Sequence, residues 1–179
     1  MSLITILSGS ARKNGNTELL VQAFSSGAAV NNTVEIISIA DYQVNPCTGC
    51  NYCNTSKEHQ CCIKDDMDIV YEKLRNTDIL VIASPVYFYG ISAGCKAIID
   101  RLHNPIRNTF HIKKAGLLSV GADTSPELFD SILMQDRQSL RYFDIEDLGT
   151  VLVYGVKNKG DIKDNPALEE AYQLGLSIR

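Results

Sequence analysis

Five short apolar runs alternate with segments of helical period along this chain, and that alternation leaves few folds open. Leu3-Ile4-Thr5-Ile6-Leu7 is nearly continuous, as in a strand covered on both faces. Val34 to Ile39 is β-branched and partly alternating, which predicts a strand nearer a sheet edge. Ile79 to Ala83, Leu117 to Val120 and Val151 to Tyr154 complete the set. Between them lie stripes at helical spacing: Leu19, Leu20, Ala23, Phe24 and Gly27, with Asn16 or Thr17 as N-cap; then Met67, Val70, Tyr71 and Leu74; then Ile91, Cys95, Ile98, Ile99 and Leu102. Ser125-Pro126 opens a helix carrying Leu128, Phe129, Ile132, Leu133 and Leu140, and Asn165-Pro166 opens the last, with Leu168, Ala171 and Tyr172. Strands alternating with helices predict an α/β fold, a doubly wound parallel sheet with helices on both faces.

The 179 residues, 45% hydrophobic and 21% charged, suit one domain over 1–179 with a cysteine-rich insertion at about 45–64. Seventeen basic against 21 acidic residues give a net charge of -4, which argues against an electrostatic nucleic-acid binder. No apolar run approaches the roughly 20 residues that span a bilayer. The first residues enter a strand directly, with no basic n-region or cleavage site, so the expected location is cytoplasmic.

In such sheets ligands sit beyond the carboxyl ends of the strands. Ser8-Gly9-Ser10-Ala11-Arg12-Lys13-Asn14-Gly15-Asn16-Thr17 follows the first strand. It offers hydroxyls, amides, two cations and a helix N-terminus, which suit a phosphate. It is not a Walker A loop, because five residues separate Gly9 from Gly15 and Asn16-Thr17 stand where Lys-Ser/Thr is required. The plainer reading is a polar capped turn. After the third strand, Ser84-Pro85-Val86-Tyr87-Phe88-Tyr89-Gly90 holds three consecutive aromatics where a βα loop is normally polar. At a ligand edge they make a wall for a flat ring.

These motifs, Ser8 to Arg12 with Gly15-Asn16-Thr17, Ser84 to Tyr87, and Lys96 with Asp100-Arg101, resemble the NADPH-dependent FMN reductases of the flavodoxin-like fold. The resemblance covers nearly the whole chain. It implies a 2-1-3-4-5 sheet and bound FMN, with NAD(P)H as electron donor. It places the phosphate on Ser10, Arg12, Asn16 and Thr17, with Ser8 and Asn14 also at the cofactor, and the ring and ribityl chain along Pro85, Val86, Tyr87, Phe88, Tyr89 and Gly90. Gly121, Ala122 and Asp123 close the other side. Lys96, Asp100 and Arg101 are expected at the helix surface or a dimer interface. No acid–base pair is expected, since a flavin carries the redox chemistry itself. The implied partners are a small-molecule or protein electron acceptor and a second copy of the chain, as a homodimer or dimer of dimers. The alternative is a flavodoxin-like electron carrier without turnover of its own.

Cys47, Cys50 and Cys53 form a C-x-x-C-x-x-C run, followed by Cys61 and Cys62. Such spacing lets thiolates converge on a metal or cluster. It resembles the compact motif of iron–sulfur flavoproteins, a branch of the same family, which implies a [4Fe–4S] cluster on Cys47, Cys50, Cys53 and either Cys61 or Cys62. A zinc site, redox-active thiols as in a thiol or zinc sensor, and inherited packing residues stay open. Cys95, on an apolar helix stripe, is expected in the core. Asp65, Asp66 and Asp68 read as capping and dipole residues, His59 as an exposed loop histidine, and Lys157 to Lys163 as a solvated loop.

Overall fold

The computed structural model describes residues 1–179. Its strands are β1 (Leu3–Ser8), β2 (Thr33–Ser38), β3 (Ile79–Pro85), β4 (Lys114–Val120) and β5 (Glu146–Val153). They form one parallel sheet in the order β2-β1-β3-β4-β5, the flavodoxin-like arrangement expected above. The helices are α1 (Asn16–Ala28), α2 (Tyr52–Thr55), α3 (Met67–Arg75), α4 (Ala93–Arg101), α5 (Asp130–Phe143) and α6 (Ala167–Leu176). No helix is long and apolar enough to cross a membrane.

Ile4 and Ile6 turn one face of β1 to α1 and α6, while Leu7 joins Met67, Val70, Tyr71 and Leu74 of α3 on the other. Hence the central strands read as unbroken apolar runs. Strands β4 and β5 start earlier than their apolar cores, at Lys114 and Glu146, which pair across the ladder as an exposed salt bridge of 2.9 Å. Polar ends hide such residues from a hydrophobicity reading. Three helix starts also differ. Gly15, not Asn16 or Thr17, is the N-cap of α1. Ser92 caps α4 by accepting from the Cys95 N–H. Pro126–Phe129 forms a 3₁₀ turn before α5.

Helix α5 buries only Ile132 fully. Between it and the sheet lies a mostly apolar cavity of about 330 Å³, bordered by Leu80, Ile82, Leu117, Phe143 and the carboxyl of Asp136. Burial, aided by the charge of Asp147, pushes Asp136 up to about 6. The folded chain therefore holds that proton more tightly than the unfolded one, so stability falls as pH rises from about 4 to about 6 and stays lower above it. Asp136→Asn is expected to gain about 1 kcal/mol at pH 7.5, solvent screening considered, and nothing at pH 4. Thermal melts at both pH values check this; an equal gain at each would rule out the titration.

Candidate functional site

The site begins where β1 ends. The Gly9 N–H donates to the Ala83 carbonyl at 2.6 Å, pinning the first loop to the end of β3. Beyond it the chain turns through Asn14, at φ 52°, into α1. The N–H groups of Ser10, Ala11, Lys13, Asn16, Thr17 and Glu18 find no acceptor within the protein, whereas Arg12 donates to Ser10 Oγ and Asn14 to the Glu18 carboxylate. Free donors at a helix N-terminus, beside exposed Arg12 and Lys13, are an arrangement that suits an anion. Ser8 and Thr17 are buried, Ser10 is half-buried, and Arg12 and Asn14 are exposed.

The side chain of Asn16 is committed elsewhere. Its Nδ2 donates to the Asn158 carbonyl at 2.8 Å, and its Oδ1 accepts from the N–H of Gly160 at 3.0 Å. What Asn16 leaves free for an anion is its backbone N–H. The loop from Lys157 to Lys163 is solvated as expected, with Lys157, Asn158, Lys159, Asp161 and Lys163 exposed, yet these bonds tie its backbone to Asn16. That loop docks on the first loop and buries Ile162 completely. Residues more than 140 apart make this contact, so no local pattern announces it.

The loop after β3 is a tight two-residue turn. Tyr87 and Gly90 form an antiparallel bridge, and Phe88 and Tyr89 between them both take positive φ, 50° and 62°. Asn-Gly normally occupies such a turn, and bulky residues there are strained by about 1–3 kcal/mol each. The strain holds aromatic rings out: Phe88 is 99% exposed, Tyr89 54% and Tyr87 51%. Two buried hydroxyls brace the base. Ser119 Oγ donates to the Ser84 carbonyl, and Ser84 Oγ accepts from the Ser92 N–H, each at 2.9 Å. Opposite, Asp123 Oδ1 accepts from the N–H groups of Thr124 and Ser125, and Gly121 packs against Leu128 and Val86. The N–H groups of Ala122 and Asp123 have no protein acceptor.

The cysteine segment is a loop with a closed neck. The Gln43 N–H donates to Asp66 at 2.7 Å and the Asn45 N–H to Asp65 at 2.8 Å. Farther out, Asn104 clips the loop by donating to the His59 carbonyl at 2.9 Å. Gly49 and Asn51, both at positive φ, flank Cys50 and wind the C-x-x-C-x-x-C run tightly. All six cysteines are free thiols; Cys53 and Cys61 are half-buried, while Cys47, Cys50 and Cys62 are exposed. Cys50 and Cys62 touch at 3.3 Å. The Tyr52 backbone and then Cys62 lower the Cys50 thiol, and burial followed by the charge of Cys61 raises Cys53. No three His, Cys, Asp or Glu side chains converge on one metal-ion position. Cys95 is fully buried, its thiol pushed up to about 12 by burial, as a core residue should be.

Asp65 and Arg101 depart from expectation. Rather than lying at the surface, their side chains are 4% and 2% exposed and form a salt bridge of 2.6 Å beneath the cysteine loop. Burial works against the charge on Asp65, yet hydrogen bonds from Arg101 and from the Asn45 and Met67 N–H groups hold its carboxyl below the usual range. Capping of Met67 at 3.1 Å is thus only part of what Asp65 does. Arg101 sits three residues after Ile98, on the buried side of α4, a spacing that marks it for burial. Its Nε and Nη2 have no partner, at a cost of roughly 1–3 kcal/mol for each unsatisfied donor. Lys96 and Asp100 do pair at the surface.

An anion turn and an aromatic turn on adjacent strand ends of a 2-1-3-4-5 sheet define the flavodoxin-like class of cofactor-binding domains. A family model described as NADPH-dependent FMN reductase matches residues 2–160, and the chain belongs to that family. It is 43% identical over 119 residues to an iron–sulfur flavoprotein of Methanocaldococcus jannaschii, a match covering 65% of this chain and 60% of that relative. The chain therefore accounts for less than two thirds of that protein. It is 31% identical to an iron–sulfur flavoprotein of Archaeoglobus fulgidus over 99% of this chain and 79% of the relative. An NAD(P)H:quinone oxidoreductase from Methanothermobacter marburgensis superposes with a TM-score of 0.74, over 99% of both chains at 16% identity, which speaks to the fold alone.

Proposed function

We propose that this protein is an FMN-dependent oxidoreductase that takes electrons from NAD(P)H and passes them to a small-molecule or protein acceptor, with a [4Fe–4S] cluster on the cysteine loop. The carrying observation is the set of unpaired N–H groups from Ser10 to Glu18 on the same sheet edge as the outward-held rings of Tyr87, Phe88 and Tyr89. Free N–H groups beside Arg12 and Lys13 suit a phosphate, and the exposed rings suit a flat heterocycle. Ser10, Arg12 and Thr17, with the backbone N–H groups of Lys13 and Asn16, would hold the phosphate, supported by Ser8 and Asn14. Pro85 to Gly90 would border the ring and ribityl chain, with Gly121, Ala122 and Asp123 opposite. Bound there, FMN supplies hydride and single-electron chemistry, while the protein orients the ring and sets its surroundings.

Five thiols within one loop fit a thiolate-bound cluster in number and type. The C-x-x-C-x-x-C run with two further cysteines resembles the cluster motif, and a cluster spreads such thiolates over separate irons. Cys47, Cys50 and Cys53 would be ligands, with half-buried Cys61 rather than exposed Cys62 as the fourth.

Protein isolated without oxygen is expected to be coloured, carrying FMN, iron and sulfide, and to oxidise NAD(P)H when a quinone or free flavin is supplied. Absorption spectra with cofactor quantitation check the first part. Protein that binds no FMN sinks the proposal, and FMN without NAD(P)H turnover turns it into an electron carrier.

A further inference from the structure

We propose that Arg101 is the positioning residue of the cysteine-loop metal site, its unpartnered Nε and Nη2 donating to sulfur on the Cys61 side of the cluster while Asp65 supplies the counter-charge. The inference rests on the cluster reading above. Every hydrogen bond the guanidinium makes goes through one nitrogen: Nη1 donates to Asp65 Oδ1 at 2.7 Å, to Oδ2 at 2.6 Å and to the Asn45 carbonyl at 3.3 Å. Nε and Nη2 are buried and bond nothing. Those two nitrogens form the edge of the planar group from which two N–H bonds point the same way, the fork that arginine normally spends on an anion. A whole fork left free at 2% exposure is held for an acceptor.

The surroundings say what kind. The partners of Nη1, Asn45 and Asp65, are the neck of the cysteine loop, and Asn104, three residues after Arg101, holds the His59 carbonyl two residues before Cys61. Tyr71 fixes the same stretch of helix, its hydroxyl donating to the Arg101 carbonyl at 2.8 Å. The segment these contacts frame carries Cys47, Cys50, Cys53, Cys61 and Cys62, so the acceptor assigned to the fork is anionic sulfur of that loop. Hydrogen bonds to cluster sulfur and nearby charge both set a cluster's reduction potential, so Arg101 should make reduction easier and Asp65 should oppose it.

Two substitutions separate this from bracing. Arg101→Lys keeps a cation for Asp65 but loses the fork, and is expected to make one-electron reduction of the cluster about tenfold less favourable, a midpoint about 59 mV lower. Asp65→Asn leaves the fork and removes the opposing charge, so the midpoint should rise. A residue that only braces the loop would change iron content while leaving the potentials unmoved, or shift both the same way; either result overturns the proposal. Wild-type protein needs no variant to give an answer. With arginine labelled with nitrogen-15 and the cluster reduced, electron spin-echo spectra should show a nitrogen coupling, and its absence would also overturn the proposal. Wild-type protein without iron and sulfide would sink the cluster reading itself. A loaded cluster with no coupling and unmoved potentials sinks only the role of Arg101.

Discussion

Gly27→Ala is expected to destabilise the protein by about 3 kcal/mol, at the upper end of the usual cost of overpacking. Helices α1 and α6 cross at a pair of glycines. A Cβ on Gly27 would stand 2.0 Å from the Tyr172 carbonyl oxygen and 2.9 Å from the Leu176 nitrogen. One on Gly175 would meet the Phe24 carbonyl oxygen at 2.3 Å and the Ala28 nitrogen at 2.8 Å. The obstacles are backbone atoms, which cannot swing aside as a long side chain can, so the helices must separate. Separation loosens Phe24, Leu20 and Ala171, all fully buried. For a chain of this size the melting temperature should fall by about 6–12 °C. Gly175→Ala should behave alike, and the double variant should lose less than the sum, because the first substitution already parts the helices. Since α1 begins at the anion turn, FMN affinity should weaken as well. A Gly27→Ala melt indistinguishable from the wild type would show that the crossing is looser than described.

Cys53→Ser is expected to remove nearly all iron and sulfide while leaving bound FMN roughly unchanged. Cys53 stands at the end of the C-x-x-C-x-x-C run and is half-buried, so a hydroxyl there replaces a thiolate at the inner end of the donor set. The FMN contacts proposed above come from the loops after β1, β3 and β4, none of which contains a loop cysteine. Cys61→Ser should match Cys53→Ser, and exposed Cys62→Ser should keep its iron. Iron, sulfide and flavin assays on anaerobically purified variants decide it. Equal iron in Cys53→Ser and wild type would mean that these thiols serve another purpose. Iron lost from Cys62→Ser but kept in Cys61→Ser would reverse the choice of fourth ligand.

The alternation of apolar runs and helical stripes was sufficient to read the sheet and its flanking helices, because a strand buried on both faces and a helix buried on one each leave a local period. The same reading placed Cys95 in the core. It stopped short at β4 and β5, whose first residues are charged and paired across an edge. The unusual loops stood out by composition: glycine, hydroxyls and cations after β1, aromatics after β3, cysteines after β2. Composition did not show that Phe88 and Tyr89 occupy a left-handed turn, because aromatic side chains seldom enter that region.

Periodicity and composition are properties of neighbouring residues, and they set this chain's class, the place of each strand and the types of chemistry its loops offer. Which polar groups are spent and which remain free depends on partners far away in the chain. Asn16 meets Asn158, Arg101 meets Asp65, and Gly27 meets Tyr172 only once the sheet has brought their elements together. A buried polar group must find its partner wherever the fold puts one. The difference between a surface arginine and a guanidinium fork held under a cysteine loop therefore arises from packing, with no trace in local sequence beyond three residues of helical spacing after Ile98.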